Sequence, residues 1–167
     1  SRHEGKVAEY LVRELKKLDA DFITTDDSAP QTGSDTGNLI ARFTGTGSQE
    51  NSVFFACHMD TVGPASGVKV ERAGDVFTSK GDTILGGDDK SGIAVLLELM
   101  TILRQKSIPH CPVELVFTTC EEIGLLGAKA LNHSLLQSQY GYALDSSSSG
   151  KIITGAPAAN SIDISIF

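Results

Sequence analysis

Val7, Tyr10, Leu11, Leu15 and Leu18 recur at three- and four-residue intervals, which predicts an amphipathic helix over residues 4–18. Glu9 and Arg13 stand four apart on it, the spacing of a stabilising surface pair. "DFITT" and "NLIARFTG" read as short strands separated by a Ser/Pro/Gly-rich loop at 26–37. "SVFFAC" (52–57) is a nearly unbroken apolar run, the pattern of a central strand buried on both faces. "VKVERAGDVFTS" alternates around Ala73-Gly74-Asp75 and predicts a hairpin. "SGIAVLLELMTILRQ" is apolar most of the way round a helix and so predicts one that lies deep. "VELVFTT" and "YGYAL" read as further buried strands, "AKAL" and "HSLLQ" as helical, and "KIITGAP" and "SIDISIF" as closing strands. Strands alternating with helices predict an α/β fold with a mixed, largely parallel sheet flanked by helices.

Composition narrows the function. The 167 residues are the length of one domain able to bury a core. A formal net charge of −7 with scattered Lys and Arg excludes a phosphate-backbone reader, which needs a basic stripe. The longest apolar candidate for a membrane span, "IAVLLELMTIL", is short and interrupted by Glu98. Cys57, Cys111 and Cys120 form no C-x-x-C pair, which fits buried thiols in strands of a reduced, cytoplasmic protein. The chain opens without Met as it enters a helix and closes on an alternating strand pattern, so a piece of a longer protein is expected.

Acids gather where the apolar runs stop. "SVFFAC" is followed by His58-Met59-Asp60, "VELVFTTC" by Glu121-Glu122, and "YGYAL" by Asp145. Asp88 and Asp89 stand at the start of the apolar helix. In open α/β sheets the crevice beyond the C-terminal strand ends is where sites are built. Six carboxyl groups and one imidazole converging there would protonate or destabilise the fold without a cation, and a divalent metal, more readily two, removes the difficulty. Each element has an ordinary alternative: a helix cap for one of the two aspartates, turn chemistry for Asp145, solvation for the glutamates. His58 stands apart from His3, His110 and His133 because Asp60, two residues on, can orient a ligating imidazole.

"HMDTVGP", "TILGGDDKSGIA", "EEIGLLGAKAL" and "YGYALDS" resemble, in order and spacing, the motifs of the dinuclear zinc peptidases. The likeness is to the peptidase T-like tripeptide aminopeptidases and runs over nearly the whole chain. It implies that His58 ligates a first zinc with Asp60 behind it, that Asp88 bridges two metals, and that Asp145 completes the first metal's set. It further implies Glu122 as ligand of the second metal and Glu121 as general base on the water between them. Co²⁺ or Mn²⁺ could replace Zn²⁺ at such ligands. The family often has a cis peptide after the bridging Asp. Its second metal takes a further histidine, which His3, His110 and His133 do not match, and its small lid domain has no counterpart in this chain.

The resemblance therefore implies residues 1–155 as the N-terminal part of a zinc-peptidase catalytic domain. Residues 156–167 would be a strand leading towards a lid through which a homodimer could form. The implied activity is hydrolysis of the N-terminal peptide bond of short peptides, with no nucleic-acid or membrane partner; this stretch alone is expected to be inactive. An N-acyl amino acid deacylase or carboxypeptidase of the same family stays open as an alternative, as does a metal-binding module without catalysis.

Overall fold

The computed structural model describes residues 1–48, 51–147 and 150–155. The sheet contains β1 (Phe22–Thr25), β2 (Leu39–Phe43), β3 (Val53–His58), β6 (Val113–Thr118) and β7 (Gly141–Ala143), in the order β1-β2-β6-β3-β7. A separate hairpin pairs β4 (Val70–Ala73) with β5 (Val76–Ser79). The helices are α1 (Gly5–Lys17), α2 (Ala29–Thr32), α3 (Gly87–Gln105) and α4 (Leu126–Lys129), with a 3-10 turn at His133–Leu135. β1 and β2, and β2 and β6, pair antiparallel, whereas β3 pairs parallel with both β6 and β7. The fold is mixed α/β.

Alternate residues of a strand share a face, and here one face carries the core. Leu39, Ala41 and Phe43 of β2, Val113, Leu115 and Phe117 of β6, and Cys57 of β3 pack under α1 and α3. α1 contributes Ala8, Leu11 and Leu15, and α3 contributes Ile93, Leu96 and Met100. Lys16 and Lys17 in the last turn of α1 suit the negative end of its dipole.

The other face is fastened by an ion pair between a buried glutamate and a half-buried arginine. Arg42 and Glu114 are register partners across β2 and β6, with Arg42 Nη2 3.0 Å from Glu114 Oε1. Glu114 also accepts the backbone N–H groups of Gln137 at 3.0 Å and Ser138 at 2.7 Å, and Arg42 donates to the Leu135 carbonyl at 2.9 Å. The segment after α4 is thus held to the sheet by polar contacts.

Several expectations need correction. β6, not β3, is the central strand, and Val53–Ala56 of β3 are only half-buried. β7 is an edge strand with Tyr142 exposed, because three residues pair on one side only. α3 does not lie deep: Gly92, Ile93, Leu96 and Met100 face the sheet while Ala94, Val95 and Glu98 face outward. An apolar circumference does not identify the covered face. The loop at 26–37 contains α2, Glu14 rather than Glu9 forms the ion pair on α1 (with Lys17), and 151–155 form no strand. The expected "SIDISIF" strand lies outside the described residues. Of the cysteines only Cys57 is in a strand, and Cys111 is half-buried. Among the described residues no helix is long and apolar enough to cross a membrane.

Glu114→Ala should lower the unfolding free energy by about 1–3 kcal/mol, because it leaves the Gln137 and Ser138 amides without their acceptor and Arg42 without its partner. Burial alone would raise the Glu114 carboxyl, but the Ser138 and Gln137 contacts and Arg42 outweigh it and hold it below its ordinary range. A depressed folded pKa means that this contribution is present above the ordinary value and is lost as pH falls through the folded one. Urea unfolding at neutral pH and at pH about 3 checks both; an equal penalty at the two pH values would refute the assignment.

Candidate metal centre

Parallel pairing brings the C-terminal ends of β3, β6 and β7 to one edge of the sheet. His58 ends β3, Glu121 and Glu122 follow β6, and Asp145 follows β7. α3 starts at the same edge. Its regular turns begin after Asp89, since Asp88 and Asp89 have non-helical backbone angles and the peptide between them is cis, as the resemblance implied. A Cβ at Gly92 would come within 2.8 Å of Cys57 Sγ and the Leu144 carbonyl, so glycine is what lets the helix start this close to the strands.

The two aspartates divide their work. Asp89 is buried; its carboxylate accepts the Gly92 N–H at 3.2 Å, as a helix cap does, and the His58 N–H at 3.3 Å. Asp88 is left to face the site, with Oδ1 3.0 Å from His58 Nε2. Asp145 Oδ1 lies 4.0 Å from the same nitrogen. On the far side of the ring, His58 Nδ1 is 3.1 Å from the Asp60 carbonyl and 3.3 Å from its Oδ1. Asp60 thereby directs Nε2 outwards.

Two groups of ligand atoms result, each within 4.8 Å: His58 with Asp88 and Asp145, and His58 with Glu121 and Glu122. The structure thus gathers His58, Asp60, Asp88, Glu121, Glu122 and Asp145 at one edge; Asp88 groups with Asp145 and His58, and the paired glutamates form a second group with the same His58. One imidazole nitrogen surrounded by carboxylate oxygens, without thiolate, is a donor set that fits Zn²⁺, Co²⁺ or Mn²⁺. Cys57 is in neither group: it is buried, and burial, reinforced by Asp89, pushes its thiol up.

The protein-only electrostatics explain why a cation suits the cluster. Burial opposes charge on His58, yet Asp60 and Asp88 outweigh it and raise the imidazole to about 9. Burial likewise opposes charge on Asp60, but His58, the Ser1 hydroxyl and the Glu121 and Glu122 amides hold its carboxyl far below the usual range. Burial raises Glu121, helped by Asp145, Glu122 and Asp60 and opposed by His58. Burial also raises Asp145, with Asp88 adding to the shift. The cluster accordingly retains protons that a divalent ion would displace.

Two positioning groups were not foreseen from the sequence. Lys90 Nζ donates to the Met59 carbonyl at 2.7 Å and the Asp60 carbonyl at 3.1 Å, securing the turn after β3. Asn38 is wholly buried and joins the Thr119 N–H at 3.0 Å to the Gly127 carbonyl at 2.9 Å, fixing the turn after β6. Lys90 follows the paired aspartates directly, and that adjacency was its only signal; Asn38 had none. A cavity of about 510 Å³ opens beside Glu122, walled by Arg2, Thr61, Val62 and Ile123.

Residues 38–152 match the model of Peptidase family M28, and the chain belongs to that family. It is 40% identical over its full length to YqjE of Bacillus subtilis (strain 168) and spans 45% of the length of that relative. Among solved structures, aminopeptidase PepT from Bacillus cereus ATCC 10987 superposes with a TM-score of 0.84 at 38% identity, over 87% of this chain and 39% of that one. A tripeptidase from Staphylococcus aureus subsp. aureus Mu50 gives 0.80 at 36% identity, over 85% of this chain and 38% of that one.

Asp60→Ala should weaken zinc binding by about 10–100-fold, since it frees the imidazole ring and the Glu121–Glu122 backbone together. Competition against a chromophoric chelator measures this, and unaltered affinity in a folded variant would refute the role given to Asp60.

Proposed function

We propose that the intact protein is a metal-dependent aminopeptidase that hydrolyses the N-terminal peptide bond of short peptides, tripeptides among them. The observation carrying this reading is the meeting of a carboxylate pair, Glu121–Glu122, with the imidazole that also faces Asp88 and Asp145. Similarity to an aminopeptidase and a tripeptidase supports the substrate class. In this reading His58, Asp88 and Asp145 would hold one zinc ion, and Glu122 with a shared Asp88 would hold a second. Three unpaired cysteines fit a reducing, cytoplasmic setting.

The ions, when bound, would polarise the scissile carbonyl and bring the pKa of water towards about 7. Glu121 accepts the proton as water attacks the carbonyl carbon and returns it to the departing amine nitrogen. Its raised protonation range suits a group that must both take and give that proton. Asp60 keeps His58 Nε2 pointed at the site throughout.

Glu121→Gln should keep its metal and lose about 10²–10⁴-fold in turnover, because the amide preserves size but cannot take a proton. Metal analysis beside a peptide assay decides it; near-normal turnover at full loading would remove the general-base role. Asp88→Ala should lose tight binding at both positions, whereas Asp145→Ala should weaken one. Two retained equivalents in Asp88→Ala after dialysis would contradict the bridge. A panel of tripeptides against N-acyl amino acids tests the substrate class, and preference for the latter would replace the aminopeptidase reading with deacylase chemistry.

A further inference from the structure

Glu4 occupies the position before α1 that ordinarily belongs to a capping side chain, but it caps nothing. Asp35 accepts the Gly5 N–H at 2.8 Å in its place. Glu4 is 2% exposed, and its carboxyl reaches to the turn after β6. There Oε1 accepts the Cys120 N–H at 3.3 Å, with the Cys120 thiol at 3.7 Å and the Arg2 N–H at 2.7 Å, while Oε2 accepts the Ser34 hydroxyl. All of these neighbours donate, which matches a carboxylate able only to accept.

The residue it holds is the hinge of the site. Cys120 has φ 52°, a left-handed conformation that costs a non-glycine residue free energy unless its surroundings enforce it. The next two amides, of Glu121 and Glu122, are taken by Asp60 at 2.9 and 3.2 Å. Three successive N–H groups are therefore each bound to a buried carboxylate, one to Glu4 and two to Asp60. Resting on the reading of Glu121 as general base, we propose that Glu4 is a positioning residue: it fixes the Cys120 backbone so that Glu121 and Glu122 leave the turn towards the water and the metal respectively. If Glu4 only anchored the N-terminal segment, its Arg2 and Ser34 contacts would be enough, and catalysis would not depend on the Cys120 bond.

The test uses the intact, zinc-loaded protein with trialanine as substrate. Glu4→Ala should lower kcat by about 10²-fold, the loss expected from a misplacement of roughly 1 Å at the reacting group. KM should stay within about twofold, because the substrate contacts are untouched. Glu4→Gln should recover most of the activity, since its amide oxygen can still accept the Cys120 N–H and the Ser34 hydroxyl can turn to accept from the amide NH₂. In a Glu121→Gln background, Glu4→Ala should cost nothing further, because both changes act on one group. Unchanged kcat in Glu4→Ala, or a loss that adds fully on top of Glu121→Gln, would overturn the proposal. Should Glu4→Ala not fold, Glu4→Asp replaces it, and normal kcat in that shortened variant overturns the proposal equally. Amide hydrogen exchange at Cys120–Glu122 needs no turnover: faster exchange in the variant is expected, and unaltered exchange refutes the hold on the turn. A wild-type protein that cleaves no peptide while the variant exchanges faster would sink the aminopeptidase reading and leave the hold standing.

Discussion

Six carboxyl groups and one imidazole share the C-terminal edge of three parallel strands, and so much like charge in one place must be compensated before anything else can be built. The protein compensates the innermost groups itself. Asp60 is bound by two backbone amides, the His58 ring and the Ser1 hydroxyl, and Asp89 by the amides of His58 and Gly92. Lys90 lies among the acids, where burial lowers its pKa against their pull, and spends its hydrogen bonds on two carbonyls. What remains is the outer set of Asp88, Glu121, Glu122 and Asp145 around His58, offset within the cluster by the imidazole. That outer set, with residual negative charge and free lone pairs, is where a cation gains most.

The scaffold can sustain this because its stability is generated elsewhere. The apolar cluster beneath α1 and α3 lies on one face, and the Arg42–Glu114 pair secures the other, so the charged edge carries little of the packing. Parallel pairing of β3 with β6 and β7 then aligns three strand ends, and the close start of α3, permitted by Gly92, adds a fourth source of ligands. The unusual backbone at Asp88–Asp89 and at Cys120 lies at that edge.

Most strands and helices, and the gathering of His58, Asp60, Asp88, Glu121, Glu122 and Asp145 at one edge, were legible in the sequence because local pattern determines them. An apolar run that stops abruptly at acids marks a strand end, and parallel strands bring such ends together. Burial was not legible. α3 and "YGYAL" look fully apolar, yet one is half-exposed and the other is an edge strand, since hydrophobicity does not say which side a partner covers. The positioning contacts of Asn38, Lys90 and Glu4 were hidden for a different reason. The contacts that define their roles, Lys90 to Met59, Asn38 to Thr119 and Glu4 to Cys120, span 31 to 116 residues of chain, and a buried polar side chain is recognisable only once such partners are in place. The paired aspartates were half-legible: a cap accounted for one, and only the geometry says that the capping residue is Asp89.

A metal centre of this kind determines the bond that is broken and says little about the groups flanking it. Selectivity has to come from the surrounding walls, and the cavity beside Glu122 is walled partly by Ser1 and Arg2. The same four-residue segment carries Glu4, whose carboxylate holds the Cys120 amide, and Ser1, whose hydroxyl reaches Asp60. Arg2 is itself tied to Glu4 through its backbone N–H. On the proposed reading, substrate wall, ligand orientation and base position share one short stretch of chain, so that a change in how residues 1–4 lie against the turn after β6 would alter binding and chemistry together. This coupling follows from connectivity alone: three groups serving different tasks are spaced too closely along the backbone to move independently.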